Sequence, residues 1–278
     1  IQREDFKRLG IFGEWEKPYL TMSPQYQASI ARSFYELYEK GYIVRGEKPI
    51  HWCFDCETAL AEAELEYQDK TSTAVFVTFR IAKLNEKQTA FLSSVGAEKS
   101  SVLQFIIWTT TPWTLPANVG IALHPKLEYG LYQADGKEIY ILATSLEASL
   151  KEKLNLPTMK CLKVLRGDEV KELFPHYQHP FLEREGDVIL ADYVSSTDGT
   201  GIVHIAPGHG QEDYVHGHIM NKLPVESPVN ERGLFTKNFG DALPLKGQHV
   251  FKGNQPIIDH LQKSGHLKGS ESHPHSYP

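Results

Sequence analysis

Cysteine is scarce in this chain, with three in 278 residues, and so small and odd a count argues against a framework held together by disulfides. Two of the three, Cys53 and Cys56, stand as C-x-x-C, a spacing that suits metal or redox chemistry under reducing conditions. No apolar run approaches the roughly 20 residues that a membrane-spanning helix needs, and Ile1-Gln-Arg-Glu-Asp-Phe6 has no secretory pattern. A cytoplasmic location without membrane partners is therefore the expectation. Basic charge is also in short supply: 35 acidic against 29 basic residues leave −6, so contact with nucleic acid has to come from local Lys and Arg or from a larger parent protein. The sequence contains no repeat of fixed period and no low-complexity tract. It opens without Met and stops at His275-Ser-Tyr-Pro278, which reads as a piece of a longer protein.

What is present is ordinary globular material, 41% hydrophobic and 23% charged, enough for one large domain with appendages. Ser23-Pro24, then Ala28, Ile30, Ala31, Phe34, Leu37 and Tyr38, then Gly41, predict a capped amphipathic helix. Apolar and acidic residues alternate strictly through Ala61-Glu-Ala-Glu-Leu-Glu-Tyr67, which predicts a strand. From Thr71 the texture turns β-rich, with strands expected at 74–81, 102–109, 129–133, 138–143, 161–166, 188–192 and 201–206. Two helices interrupt them, 146–154 behind the cap Ser145 and 256–263 stopped by Gly265. The fold class expected is α/β but β-rich, a compact mixed-sheet or barrel-like domain with short helices over 69–265. Residues 1–68 and 266–278 are then two segments connecting it to an absent body.

Two stretches carry chemistry. Trp108-Thr-Thr-Thr-Pro-Trp-Thr-Leu-Pro-Ala-Asn118 leaves the apolar run Val102-Leu-Gln-Phe-Ile-Ile107, and three adjacent hydroxyls leaving a buried strand need partners or a ligand. Alone, this is equally a Thr-rich strand end with a stiff loop. Downstream, Gly199-Thr-Gly-Ile-Val-His-Ile-Ala-Pro-Gly-His-Gly-Gln-Glu-Asp-Tyr214 sets His204, His209, Glu212 and Asp213 among glycines that permit close backbone approach. A single His there is more often a satisfied structural residue, and an acidic pair opening a helix is often only a dipole partner. Both stretches together weigh toward a site.

Together they resemble the two signature segments of the inserted editing domain of class I isoleucyl-tRNA synthetases. Phe6-Lys-Arg-Leu-Gly10, Trp15 to Met22, Lys48-Pro-Ile-His-Trp-Cys53 and Ala59 to Tyr67 resemble the approach to that insertion, and His275-Ser-Tyr-Pro278 the way out. Valyl and leucyl enzymes usually carry Arg where Thr111 stands, then Pro and an acidic residue, and lack the histidine at His204; Pro112-Trp113 follows here. The resemblance implies a Rossmann-type catalytic body outside this chain. The family's ATP-handling motifs, H-I-G-H and K-M-S-K-S, are absent from the sequence, so ATP and magnesium serve only a synthetic site elsewhere.

The implied activity is hydrolysis of valine wrongly esterified to isoleucine tRNA. One methylene is worth about 1 to 3 kcal/mol in an apolar pocket, a limit for which the isoleucine enzymes are themselves the standard example, and a second pocket that hydrolyses the smaller ester answers it. By resemblance, Asp213 holds the substrate ammonium, His204 walls the side-chain pocket, and Thr109, Thr110 and Thr111 orient water or the developing oxyanion. Trp113 and Asn118 shape the pocket or the path of the tRNA end, packing being the plainer reading for Trp113; His209 and Glu212 rank below His204 and Asp213. No Ser-His-Asp or Cys-His arrangement stands out, which favours direct attack by water, helped by the terminal ribose hydroxyl. Editing needs no cofactor. Cys53 and Cys56 form half of a zinc site that belongs to the parent. Two rival readings are a non-catalytic tRNA-docking module and a valyl-type editing domain acting on threonyl esters.

Overall fold

The computed structural model describes residues 1–81, 83–98, 100–134 and 137–277. The chain forms two compact units, Ile1–Glu47 and Lys48–Pro278. In the first, α1 (Gln2–Arg8) precedes α2 (Pro24–Glu39). Ser23 caps α2 by accepting from the Tyr26 amide at 3.3 Å with Pro24 opening the helix, and Gly41, at φ +75°, ends it. No residue of α2 is buried; Ile30, Phe34 and Leu37 are exposed along it.

The second unit opens with a small hairpin, β1 (Trp52–Cys53) and β2 (Thr58–Ala59). Then follow β3 (Gln68–Arg80), α3 (Glu86–Ser94), β4 (Val102–Thr109), β5 (Gly120–Leu123), β6 (Glu128–Gln133), β7 (Glu138–Ala143), α4 (Glu147–Lys153), β8 (Lys160–Arg166) and α5 (Gly167–Leu173). The last group is β9 (His176–Gln178), β10 (Glu185–Leu190), β11 (Ile202–Ile205), α6 (Gln211–Asp213) running into a π-helical turn Tyr214–Met220, α7 (Val250–Lys263) and β12 (Leu267–Tyr277). Ten strands form one mixed sheet in the order β11-β5-β10-β9-β3-β4-β7-β6-β8, with β12 on β3. The pairs β4–β7 and β5–β10 are parallel and the others antiparallel.

The α/β, β-rich mixed sheet expected from the sequence is what forms, but its strand path does not close into a barrel among the described residues. β4 sits centrally, both its edges paired by β3 and β7, and Phe105, Ile106 and Ile107, which alternate between its two faces, are fully buried. These join Phe76, Phe79, Tyr129 and Tyr177 in the main core. A smaller cluster of Val119, Ala122, Ile189, Ala191, Val194, Ile205 and Leu223 lies under the second signature segment. No helix among the described residues is long and apolar enough to cross a membrane.

Several expectations are refined by the structure. The alternation at 61–67 is no strand: Glu62–Glu64 is a 3₁₀ turn closed by the Glu64 carboxylate, which accepts from the Ala61 amide at 2.7 Å. Alternation predicts a strand only where one face is covered, and this stretch is almost wholly exposed. Ser145 caps nothing; its hydroxyl donates to the Ser196 carbonyl at 3.1 Å, and α4 starts from Leu146 without a side-chain cap. The helix expected at 256–263 begins at Val250, with Pro256 inside it. Residues 266–278, expected as a connection, supply β12, paired with β3 from Val77 to Gln68. The hairpin at 52–59 is likewise tied into the second unit, Trp52 Nε1 donating to the Glu231 carbonyl at 2.7 Å and Arg232 pairing with Glu57 at 2.9 Å.

Candidate active site

β4 carries Thr109 to its last position, where the side chain is buried. The Thr109 hydroxyl accepts from the Thr111 amide at 3.1 Å and lies 3.2 Å from the Thr111 hydroxyl, a local turn that lifts the chain off the sheet. Pro112 then opens a 3₁₀ turn over Pro112–Ala117, and Thr114 donates its hydroxyl to the Thr111 carbonyl at 2.9 Å. Thr110, Thr111 and Trp113 line a cavity of about 240 Å³ with Ser72, Phe251 and Asn254. The Trp113 amide is held by Asn254 Oδ1 at 2.9 Å.

β11 carries His204, which is buried between two residues of the first segment. Its Nε2 lies 2.9 Å from the Thr114 hydroxyl and its Nδ1 lies 3.3 Å from Asn118 Nδ2. The tautomer follows from the partners. Asn118 Nδ2 can only donate, which makes Nδ1 the acceptor; the Thr114 hydrogen already goes to Thr111, so Nε2–H donates to Thr114. The chain of bonds continues outward, because Asn118 Oδ1 accepts from the Tyr177 hydroxyl and Asn118 Nδ2 also donates to the Gly120 carbonyl at 2.8 Å. Burial pushes His204 down to about 4, so the ring is neutral at physiological pH.

Past β11 the chain turns through Ala206 to Gly210. Asp213 folds back over this turn, Oδ2 accepting from the Ala206 amide at 2.9 Å, while Oδ1 lies 3.4 Å from the Tyr193 hydroxyl. A Cβ at Gly210 would stand 2.8 Å from the Asp213 carboxyl carbon, which explains the glycine there. Asp213 is half-buried, and no Lys or Arg among the described residues pairs with it. Desolvation raises its pKa, against the two hydrogen bonds, which lower it. His209, pushed down to about 4 by burial and by the field of His204, packs edge-on to Trp113 with ring centroids 5.0 Å apart.

The structure thus places both signature segments against each other through His204 with Thr114 and Asn118, and through Trp113 with His209. Glu212 is exposed and makes no part of this network. Thr114 and Tyr177 complete the bonding of His204 and Asn118, and sequence reasoning misses both: Thr114 lies inside the first signature segment, and Tyr177 has no local signal at all.

The cysteines lie elsewhere. Cys53 and Cys56 bracket the turn between β1 and β2, the Cys56 amide donating to Cys53 Sγ at 3.4 Å. That hydrogen bond holds the Cys53 thiol below its ordinary pKa, and the Cys53 sulfur raises that of Cys56. Two thiols supply two of the four ligands that a closed zinc site takes, and no group of three or more metal-binding side chains forms among the described residues. Cys161 stands apart on β8.

Comparison with known proteins gives the family of the chain. The family described as tRNA synthetases class I (I, L, M and V) matches residues 1–251, and the chain belongs to that family. Within it, the chain is 44% identical to the isoleucine–tRNA ligase of Thermotoga petrophila and 43% identical to that of Psychrobacter arcticus, each over 279 residues. Both alignments take in 100% of this chain and 28% of the relative, so the chain spans little more than a quarter of the length of the curated relatives it matches. Among solved structures, GlLeuRS-CP1 superposes with a TM-score of 0.55 at 14% identity, over 74% of this chain and 100% of that one. The editing domain of the P. falciparum cytosolic leucyl-tRNA synthetase gives 0.51 at 10% identity, over 72% and 99%. At such identities the two structures establish the shared fold.

Proposed function

We propose that this chain is the editing region of an isoleucine–tRNA ligase and that it hydrolyses valine mis-esterified to isoleucine tRNA. The observation that carries the reading is Asp213: a half-buried carboxylate that no Lys or Arg among the described residues pairs with, on the turn that packs against the threonine-bearing loop. A desolvated anion of that kind is stabilised by an incoming cation, and the free α-ammonium of an aminoacyl ester is one.

The rest of the site divides the remaining tasks. His204, neutral and bonded at both nitrogens, has no free lone pair for a proton and serves as a wall rather than a base. Its ring excludes the longer isoleucine side chain by contact. The hydroxyls of Thr109, Thr110 and Thr111 and the backbone amides of their turn orient the attacking water and the oxyanion, with the terminal ribose hydroxyl assisting; Trp113, Asn118 and His209 shape the pocket around the tRNA end. No cofactor enters this reaction. In the longer protein the same reading gives a cytoplasmic ligase that attaches isoleucine to its tRNA using ATP and magnesium at a site outside this chain, and in which Cys53 and Cys56 are completed to a zinc site by residues beyond it.

The test is release of valine from valyl-tRNA carrying the isoleucine anticodon, compared with release of isoleucine from the correct ester, for the purified chain and for Asp213→Ala. Valine release that spares isoleucine and disappears in the folded variant supports the editing reading. A wild type that binds tRNA but releases neither amino acid supports a docking module, and one that spares the valyl ester but releases threonine from a threonyl ester supplied beside it supports a valyl-type domain.

A further inference from the structure

Outside the two signature segments, one turn of the chain reaches the site through its backbone. The 3₁₀ turn Pro112–Ala117 closes with the Asn118 amide donating to the Leu115 carbonyl at 3.0 Å, and the Pro116 and Asn118 carbonyls that follow have no partner inside the turn, as at any helical end. Residues 178–184, from the end of β9 to the start of β10, bring side chains to the Leu115, Pro116 and Asn118 carbonyls. His179 Nε2 lies 3.0 Å from the Leu115 carbonyl, and its Nδ1 accepts from the Phe181 and Leu182 amides at 3.3 and 3.1 Å. Arg184 Nη2 donates to the Pro116 carbonyl at 3.0 Å and also to the Asn118 carbonyl. Gln178 Nε2 fixes the backbone of the turn itself, donating to the Leu182 and Arg184 carbonyls at 3.0 Å.

Arg184 also faces the second segment. Its Nη1 pairs with Glu226 at 3.1 Å, with only 24% and 34% of the two side chains exposed. The Glu226 carbonyl lies against Gly208, where a Cβ would collide with it, so the backbone carrying Glu226 is seated on the turn between His204 and Asp213. One guanidinium therefore spans both walls of the site, and its Nε has no partner among the described residues. A planar fork with several fixed donors does this; a lysine ammonium, as a point donor, does not.

We infer that Arg184, braced by Glu226, is a positioning residue for substrate discrimination: it fixes the Asn118 backbone, and through the Asn118 amide it holds the His204 ring in place. Its role in selecting valyl over isoleucyl esters rests on the editing function proposed above, whereas its hold on His204 does not. The two are separable by experiment.

The variants are Arg184→Lys and, as the milder change, Glu226→Gln, each in the 278-residue chain and checked for folding by circular dichroism. The first measurement is the ¹⁵N signature of the His204 imidazole by NMR at neutral pH, assigned with His204→Gln. The wild type is expected to show one tautomer, protonated at Nε2, and the variants a mixture. The second is the ratio of valine to isoleucine release, expected to fall about tenfold while the valyl rate constant changes by less than about threefold, a split that general destabilisation does not produce. Folded variants in which the His204 signature stays that of the wild type overturn the proposal whatever the activities show. A wild type without deacylase activity overturns the functional reading instead, and the NMR comparison then decides the positioning role by itself.

Discussion

Thr114→Val is the sharpest perturbation of the site, because valine keeps the shape and removes the hydroxyl that accepts from His204 Nε2 at 2.9 Å. The Thr111 carbonyl keeps a partner, since the residue 114 amide also donates to it at 3.0 Å. The loss therefore falls on His204, which is 8% exposed and cannot turn to water. Nor can it move its proton to Nδ1, where Asn118 presents a donor at 3.3 Å. A buried N–H stranded in this way costs about 1 to 3 kcal/mol. Urea unfolding at pH 7 should register that loss for Thr114→Val, while Thr114→Ser, which keeps the hydroxyl, should stay within about 1 kcal/mol of wild type. Release of isoleucine from the correct ester should rise in the valine variant as the wall loosens. Equal stability of Val and Ser variants, with discrimination intact, would refute the bond between Thr114 and His204 and the argument built on it.

Other outcomes follow from the same electrostatics. Asp213→Asn should fold at least as stably as wild type at pH 7, since it removes a desolvated charge while an amide can still meet Ala206 and Tyr193, yet valyl-ester hydrolysis should fall by roughly a hundredfold or more. Stability should drop on acidification: His204, moved from 6.5 to about 4, binds fewer protons folded than unfolded, so its share, roughly 2 kcal/mol between pH 7 and 5, is present above 6.5 and lost as pH falls toward 4. His209 adds in the same direction and Asp213, raised, opposes; urea midpoints at pH 7 and pH 5 for wild type and His204→Gln measure the histidine share. The rate of valine release should show no inflection at the ordinary histidine value of 6.5, and an inflection there that vanishes in His204→Gln would make the ring a base after all.

How much of this was legible beforehand depended on where the deciding partner lay. β4 and β7 fall on the residues expected because their apolar runs need no information beyond themselves. β12 was unreadable: Lys-Gly-Ser-Glu-Ser-His-Pro has neither β-propensity nor alternation of apolar residues, and it is a strand because β3 extends past its core pairing and offers a free edge. The stretch 61–67 failed the other way, with the pattern present and no covering face. In the site, His204, Asp213 and the threonines announce themselves by residue type and by glycine context. Arg184, His179 and Tyr177 do not, because each acts on a backbone or amide more than fifty residues away, and sequence spacing carries no trace of that.

Under the proposed editing function, the arrangement also gives a reason for a histidine where the chemistry asks for no base. Isoleucine presents one methylene more than valine, and burying it would return about 1 kcal/mol, and at most about 3 in a close-fitting apolar pocket. A wall of loosely packed aliphatic side chain could yield for a comparable cost. The His204 ring cannot yield so cheaply, because displacing it breaks the bonds to Thr114 and Asn118 and strands polar groups in a dry site at about 1 to 3 kcal/mol each. Moving the ring costs both bonds together, more than admitting the methylene returns, and in the proposed editing reaction that inequality is what would let the pocket discriminate by a single carbon.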